Sequence, residues 1–437
     1  MKRYEAYKDS GVDWIGEIPE GWFQEPFSSV FSLKSIINNK NEELLSVYLD
    51  KGVIRFSDVG EKRTNVTSED LSKYQLVEEG DFVLNNQQAW RGSVGVSFNR
   101  GIVSPAYIVL AVKNNFDFRF LNYLLRNRSF VTHYLLCSKG VGTIQRNLYW
   151  PQLKRVYLIF PSLEEQQTIA QFLDDKTTKI DQLIGIKQKE IELLKERRQI
   201  LIQQAVTKGL DATVPMKDSN VDWIGEIPEH WEVRKLRFDF NLSKGLTITK
   251  ENLTDEGIPC VNYGEIHSKY GFEVNPSIHP LKFVPEDYLQ TNPNSLLNNG
   301  DFIFADTSED LEGSGNFTYL NSDEITFAGY HTVIARPKSL INSRFFAYEF
   351  DSLNFRNQVR TKMKGVKVFS ITQSILKELW IWKPPFEEQI AISSFLDINL
   401  EKIAKAISIK EQEIEKLKEF KMVLIDNVVT GKVKINL

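Results

Sequence analysis

Four stretches of this 437-residue chain concentrate basic and amide side chains: "NNQQAWRG" (Asn85–Gly92), "RNRSFVTHY" (Arg126–Tyr134), "KGVGTIQRNLYW" (Lys139–Trp150) and "RNQVRTKMKGVKVFS" (Arg356–Ser370). Lys and Arg supply charge for phosphate oxygens. Arg, Gln and Asn can also make paired hydrogen bonds to purine edges. The surrounding sequence strengthens the signal. Between Asp81 and Phe160 there are ten Lys or Arg against two acids, and between Ile325 and Lys377 nine against two. The chain as a whole has a formal charge of −4, so its positive charge is gathered into two places. That is the footprint expected of a surface that follows a nucleic-acid backbone. By contrast, the acidic "DTSEDLEGSG" (Asp306–Gly315) is expected to face away from phosphates or to be a mobile loop.

Bond-making chemistry is harder to find. His133, His230, His267, His279 and His331 are scattered, with no metal-ligand spacing among them. No Gly-x-x-x-x-Gly-Lys-Ser/Thr loop is present, and no serine or cysteine sits in a nucleophile motif. "WKPPF" (Trp382–Phe386) looks like the Asn-Pro-Pro-Phe/Tyr motif of adenine-N6 methyltransferases, but Lys383 stands where the asparagine would hold the target amine. The matching place earlier in the chain reads "IFPSL" (Ile159–Leu163), so the motif marks a strand-to-helix junction. "EGSG" (Glu312–Gly315) is not led into by an apolar strand and is not followed by a βαβ unit. The residues point to recognition, with no metal or cofactor site in this chain.

The two cysteines, Cys137 and Cys260, cannot build a disulfide framework and fit a reducing, cytoplasmic compartment. The longest apolar runs, such as "YIVLAV" (Tyr107–Val112), are too short to span a bilayer, and "MKRYEAYKDSG" lacks an apolar signal region. No membrane partner is expected.

The elements that must position the basic stretches come in two copies. "DSGVDWIGEIPEGW" (Asp9–Trp22) returns as "DSNVDWIGEIPEHW" (Asp218–Trp231) with two changes, Gly11 to Asn220 and Gly21 to His230. "PSLEEQQTIAQFLDD" (Pro161–Asp175) answers to "PPFEEQIAISSFLDI" (Pro384–Ile398), and the match runs on through Ile186–Leu201 and Ile409–Leu424. The order is therefore peptide, unlike segment, helix, and then the same again. This divides the chain into a repeated peptide (1–22), a first head (23–160), a central helix (161–210), a second peptide (211–231), a second head (232–383) and a last helix (384–437). Both heads carry short β-rich runs between Gly, Asn and Pro turns, then helical stretches, so each is read as mixed α/β. "GDFVL" (Gly80–Leu84) and "GDFIF" (Gly300–Phe304) keep the same order, as one fold with diverged surfaces would.

The repeated helix has a heptad seam at Ile180, Ile184, Ile191, Leu194, Leu201 and Ala205, matched by Ile403, Ile407, Ile414, Leu417, Leu424 and Val428. Basic residues interrupt the seam at Lys187 and Arg198, and again at Lys410 and Lys421. Either their stems pass the seam to solvent, or they set register. Two such helices are expected to pack antiparallel and to relate the halves by an approximate two-fold axis. The predicted fold class is α+β: two mixed α/β heads separated by two long antiparallel coiled-coil helices. Each copy of the peptide is predicted to clasp a helix end through its apolar residues, Trp14, Ile15, Ile18, Pro19 and Trp22 in the first. Because a duplex backbone also has local two-fold axes, double-stranded DNA is a natural partner.

The head–helix–head–helix order, the "P-x-x-E-E-Q" junctions at Pro161–Gln166 and Pro384–Gln389, and the "V-D-W-I-G-E-I-P" peptides resemble the specificity subunit of type I restriction–modification systems. The resemblance implies that each head reads one half of a bipartite, asymmetric DNA sequence, with the helices as a ruler for the gap. It implies a non-catalytic subunit on which two modification subunits dock, binding S-adenosylmethionine and methylating adenine. Restriction subunits would add ATP- and Mg-dependent translocation and cleavage. The candidates for base contact are then Gln87, Gln88, Arg91, Gln145, Arg146 and Asn147 in the first head, and Asn357, Gln358, Arg360, Lys362 and Lys364 in the second. Arg126, Arg128, Lys139, Arg356 and Lys367 complete the candidate DNA-binding set. Two other readings stay open on residues alone: a solitary DNA methyltransferase or nuclease with duplicated recognition domains, and a two-headed protein-binding scaffold.

Overall fold

The computed structural model describes residues 2–12, 15–49, 51–58, 70–113, 115–140, 146–363 and 369–435. The chain forms two compact units, Met1–Gln188 with Glu411–Leu437, and Lys189–Lys410. Each contains a hairpin peptide, a two-stranded neck, an α/β head and segments of both long helices.

In the first unit Tyr7–Asp9 pairs antiparallel with Glu17–Pro19. Asp9 Oδ1 accepts the Gly11 N–H at 2.9 Å, and Gly11 has φ +69°. In the second unit Met216–Asp218 pairs with Glu226–Pro228, and Asn220 takes the same turn at φ +55°. The change from Gly11 to Asn220 is explained by this geometry, because glycine and asparagine are the residues that best tolerate left-handed backbone.

The chain enters the first head through Phe23–Pro26 and leaves through Tyr157–Phe160, and these strands pair with each other. Inside, Phe31–Lys34, Tyr107–Val112, Phe82–Asn85 and Val94–Val96 form an antiparallel sheet in that order. Helices Phe118–Arg126 and Arg128–Leu136 are capped by the Asp117 and Asn127 side chains. Their apolar faces join Phe27, Phe31 and Phe82 in one core, where the Phe27 and Phe31 rings lie 4.5 Å apart.

The second head has the same neck, Glu232–Lys235 against Trp380–Lys383. Its main sheet runs Phe240–Lys244, Thr332–Pro337, Phe302–Ala305, Phe317–Leu320, Phe272–Val274, with the last pair parallel. A further mixed sheet is built from Lys282–Val284, Ile258–Val261, Thr326–Ala328 and Leu296–Leu297. Helices Ser343–Asp351 and Leu353–Lys362 are capped by Asn342 and Ser352.

The long helices are Leu163–Lys208 and Phe386–Val429, of 46 and 44 residues. In the first unit Ile169, Leu173 and Ile180 share a core with Leu424 and Val428, with Ile184 and Leu417 packed against it. Asp181 pairs with Lys421 at 2.7 Å and Lys187 with Glu413 at 2.6 Å. Positions ascend along one helix as they descend along the other, so these segments are antiparallel. In the second unit Ile202 and Ala205 share a core with Leu400 and Ile403, and Leu194, Leu201 and Ile407 pack against it. Ile191 and Ile414 are also buried. Here Lys410 pairs with Glu190 at 2.9 Å. Lys187 and Lys410 occupy corresponding positions, as do Glu413 and Glu190, so each unit makes the same pair. Of the two readings of the basic seam positions, register is the one these geometries favour for Lys187, Lys410 and Lys421. Arg198 instead lines a polar cleft with Asp351 and Arg356.

The junction motif is explained by what its side chains hold. Gln166 is buried, accepts the Asp117 N–H at 3.1 Å and donates to Pro161 O at 3.0 Å. Gln389 does the same to Asn342 and Pro384, both at 2.9 Å. Each glutamine thus fastens a head helix to the start of a long helix. Asp174 takes Tyr123 and Arg119, and Asp397 takes Tyr348 and Arg344. The glutamates reach the peptides: Glu165 accepts from Tyr4 at 2.6 Å, and Glu388 from Trp231 at 3.1 Å. Gly431 and Gly209 end the two long helices at φ +71° and +72°, against Trp22 and Trp231 respectively. Ile18 and Trp22 are buried as a clasp requires, whereas Trp14 lies outside the described residues.

Candidate nucleic-acid interface

In the first head the strand Phe82–Asn85 runs into a tight turn, Ala89–Arg91, closed by Gly92 at φ +99°. Ala89 is buried and anchors the turn, while Arg91 and Gln87 are exposed. Trp90 Nε1 donates to Gln87 O at 3.0 Å, which fixes the indole. The Arg91 guanidinium lies over that ring at 4.6 Å and Arg146 at 5.8 Å. A short hairpin, Ser138–Lys139 with Asn147–Leu148, is drawn to the corner because Leu148 N–H donates to Asn86 Oδ1 at 2.9 Å. It brings in exposed Asn147, and Lys139 over the Tyr149 ring at 3.9 Å. Gln87, Arg91, Lys139, Arg146 and Asn147, far apart in sequence, therefore form one basic, aromatic-backed surface.

Other candidates fall elsewhere. Gln88 is half-buried, and its carbonyl accepts the Arg91 N–H at 3.0 Å within the turn. Arg126 donates to Leu49 O at 3.3 Å and covers Gly52, so it braces the hairpin Leu45–Arg55. Arg128 is exposed at the first position of its helix, beside Ser129, which donates to Asp426 of the second long helix at 2.6 Å. Gln145 lies outside the described residues.

The second head differs. Gln358 is buried, accepts the Trp380 N–H at 2.8 Å and donates to Trp380 O at 3.1 Å. It braces a neck strand, and base contact would cost both bonds. Arg356 is held by Asp351 at 3.0 Å and Asn316 at 2.9 Å. Arg360 donates to Glu312 O at 3.1 Å, and Lys362 to Glu378 O at 2.9 Å. Burial, with Lys235 close by, lowers the Lys362 pKa. Asn357 is half-exposed on the same helix. Lys364 and Lys367 lie outside the described residues. The acidic segment Asp306–Gly315 contains the short strand Thr307–Ser308, which pairs with Phe369–Ser370. It lies against this basic helix through Glu312, and with Tyr263, His267 and His331 it lines a cleft of about 620 Å³. Tyr263 packs edge-on to Tyr330 at 5.5 Å and to His331 at 5.4 Å, and His331 has φ +56°. This cleft was not visible in the sequence: Tyr263 and His331 are 68 residues apart, and Tyr263 sits in no basic stretch. Trp90 and Tyr149 were within quoted stretches but carry no charge, so a search for cations passed over them.

The model of the type I restriction modification DNA specificity domain matches residues 25–195 and again 228–419. The chain belongs to that family. The type I restriction enzyme MjaVIII specificity subunit of Methanocaldococcus jannaschii is 26% identical over 396 residues, covering 89% of this chain and 86% of the relative. A solved chain from work on complex assembly and conformational transition of the type I restriction–modification system has TM-score 0.70 at 16% identity, over 95% of this chain and 99% of that one. The HsdS subunit of Thermoanaerobacter tengcongensis has TM-score 0.55 at 16% identity, over 95% and 98%. This specificity subunit is the DNA sequence-recognition component of such a system, with two target-recognition domains, and acts in complex with other subunits; it is not the catalyst. The enzyme reading also loses its one motif, because Lys383 is bonded to Asp239 at 3.1 Å and Trp382 donates to Val206 O. Among the described residues no group of His, Cys, Asp and Glu could hold a metal ion, and no helix is long and apolar enough to cross a membrane.

Proposed function

We propose that the two heads of this specificity subunit read the two unlike halves of a bipartite DNA target in the cytoplasm. The observation that carries this is a contrast at one corresponding place. The strand Phe82–Asn85 leads into Gln87, Trp90 and Arg91, whereas its counterpart Phe302–Ala305 leads into Thr307, Asp310 and Glu312. One architecture with opposite chemistry at the same corner suits an asymmetric target. The first head contacts DNA through Gln87, Arg91, Lys139, Arg146 and Asn147. The second uses the cleft lined by Tyr263, His267 and His331, with Lys364 and Lys367 as candidates from sequence. The antiparallel helix segments set the gap and dock two modification subunits, which bind S-adenosylmethionine and methylate adenine. Restriction subunits supply the ATP- and Mg-dependent steps. The experiment is methylation mapping of host DNA with and without this chain. The expected result is loss of one bipartite adenine-methylation motif; an unchanged methylome overturns the proposal.

A further inference from the structure

Resting on that reading, we propose that the first long helix itself grips the duplex: Arg198, with Lys269 of the second head, holds a backbone phosphate of the half-site that this head reads. The internal repeat exposes the anomaly. Arg198 corresponds to Lys421, which pairs with Asp181 at 2.7 Å. The residue that corresponds to Asp181 is Ala404, so the second unit has no carboxylate at that place. Arg198 is exposed and makes no ion pair or hydrogen bond among the described residues. It lines a polar cleft of about 320 Å³ together with Lys269, Arg356 and Asp351. Arg356 and Asp351 satisfy each other at 3.0 Å. Arg198 remains with exposed Lys269, which likewise has no described side-chain partner, and two such cations over one cleft attract an anion. The recognition cleft lies next door: His267, Ser268 and Asn316 line both. A chain of hydrogen bonds joins the two. Arg356 donates to Asn316 Oδ1 at 2.9 Å, Asn316 Nδ2 to His267 Nδ1 at 3.0 Å, and His267 Nε2 to Thr307 O at 2.8 Å. A carbonyl only accepts, so this order of donors is the one a neutral imidazole allows. Glu309 and Asp310 in the recognition cleft repel a phosphate, whereas Arg198 and Lys269 attract it. The backbone is thereby steered toward the helix and base edges toward Tyr263. Phosphate contacts position and base contacts specify, and here the anchor sits on the element that sets the gap. In the first unit Lys421 is engaged by Asp181, and its cleft carries exposed Leu49, Phe98 and Met422, so the grip belongs to one half-site.

The test uses the assembled complex and duplexes carrying its methylation motif. Arg198→Ala should flatten the salt slope of binding by about 0.9, so that raising salt from about 50 to 200 mM costs it roughly threefold less affinity than it costs the parent, at all sequences alike. The methylated motif should stay the same. Ala404→Asp, which supplies the carboxylate that the first unit has at Asp181, removes no cation and should flatten the slope in the same way, while the neutral Ala404→Asn should not. Backbone phosphates of both half-sites are then replaced one at a time by uncharged methylphosphonates. In the parent, replacements in one half-site are expected to weaken binding about threefold or more, and in Arg198→Ala at least one of them should cost nothing further. An unchanged slope in Arg198→Ala overturns the proposal, and so does a methylphosphonate pattern identical to the parent's. Relaxed choice of one base in Arg198→Ala overturns it in favour of a base contact. Failure of the complex to assemble around a folded Arg198→Ala chain overturns it in favour of a carboxylate on a partner subunit. Failure of the underlying reading looks different: the parent would then have no bipartite motif at all.

Discussion

Replacing Glu349 by Gln tests the charge state on which the core of the second head depends. Glu349 has no exposed surface, and one of its oxygens accepts the Trp382 N–H at 2.9 Å. Burial, with Asp239 adding to it and the Trp382 bond opposing, pushes the carboxyl well above its ordinary value of 4.5. The folded head keeps a proton that the unfolded chain releases. Above about pH 4.5, and up to the folded value, the native state therefore holds one proton more than the unfolded state. Stability must fall as pH rises through that window, by about 1.4 kcal/mol per pH unit. Glu349→Gln retains the acceptor for Trp382 and has no proton to release. It should match the parent near pH 4.5 and gain on it as pH rises, at about 1.4 kcal/mol per pH unit up to the folded value. The control is Glu349→Leu, which copies Leu124, the buried residue at the corresponding place in the first head. Leucine removes the pH slope but leaves the Trp382 N–H without its acceptor, a pH-independent cost of about 1–3 kcal/mol. Urea titrations at pH 5, 6 and 7, followed by tryptophan fluorescence, give both differences, because other titrating groups cancel against the parent at each pH. A Glu349→Gln advantage that does not change with pH would refute the reasoning.

Reversing one charge of the repeated pair, Lys187→Glu, should lower stability by about 1 kcal/mol, and adding Glu413→Lys should restore most of it; a double-mutant cycle with no coupling energy would remove the register role. Gly431→Ala should destabilise the first unit by roughly 2–3 kcal/mol, because the new Cβ would lie 2.6 Å from Pro19 in a left-handed backbone. Gly209→Ala should cost less, about 1 kcal/mol, since its nearest neighbour is the end of a side chain, the Glu388 carboxylate at 3.0 Å, and not a proline ring at 2.6 Å; equal melting shifts would contradict this. Gln389→Leu should expose the Asn342 amide to hydrogen exchange at least tenfold faster than in the parent, because the amide donates to Gln389 Oε1. Arg126→Gln should loosen the hairpin Leu45–Arg55 without altering the methylated motif, which checks its reassignment as a brace.

The candidate site was legible only in part. Charge clustering named Arg91, Lys139 and Arg146, and the structure gathers these with Asn147 at one corner of the first head. The same clustering included Gln358 and Arg126, whose roles are set by burial and by backbone partners that composition does not encode. On the helix Leu353–Lys362 the charges suggested a DNA face, yet Arg356, Arg360 and Lys362 are all bonded within the head. The acidic Asp306–Gly315 was set aside for its sign, and it proved to wall the cleft beside Tyr263.

By itself the sequence determined the repeated plan. It showed two long helices, two like peptides at their ends and two diverged heads, because helix period, capping and turn chemistry are written within a few residues of where they act. Gly11 and Asn220 illustrate this: each answers a purely local demand for left-handed backbone. The tertiary structure alone decided which distant groups meet. Gln166 on the Asp117 amide, Lys187 on Glu413, and Arg91 and Arg146 on one indole join segments separated by tens to hundreds of residues. Such partners are chosen by the packing of whole elements against one another, a property no short window of the chain contains.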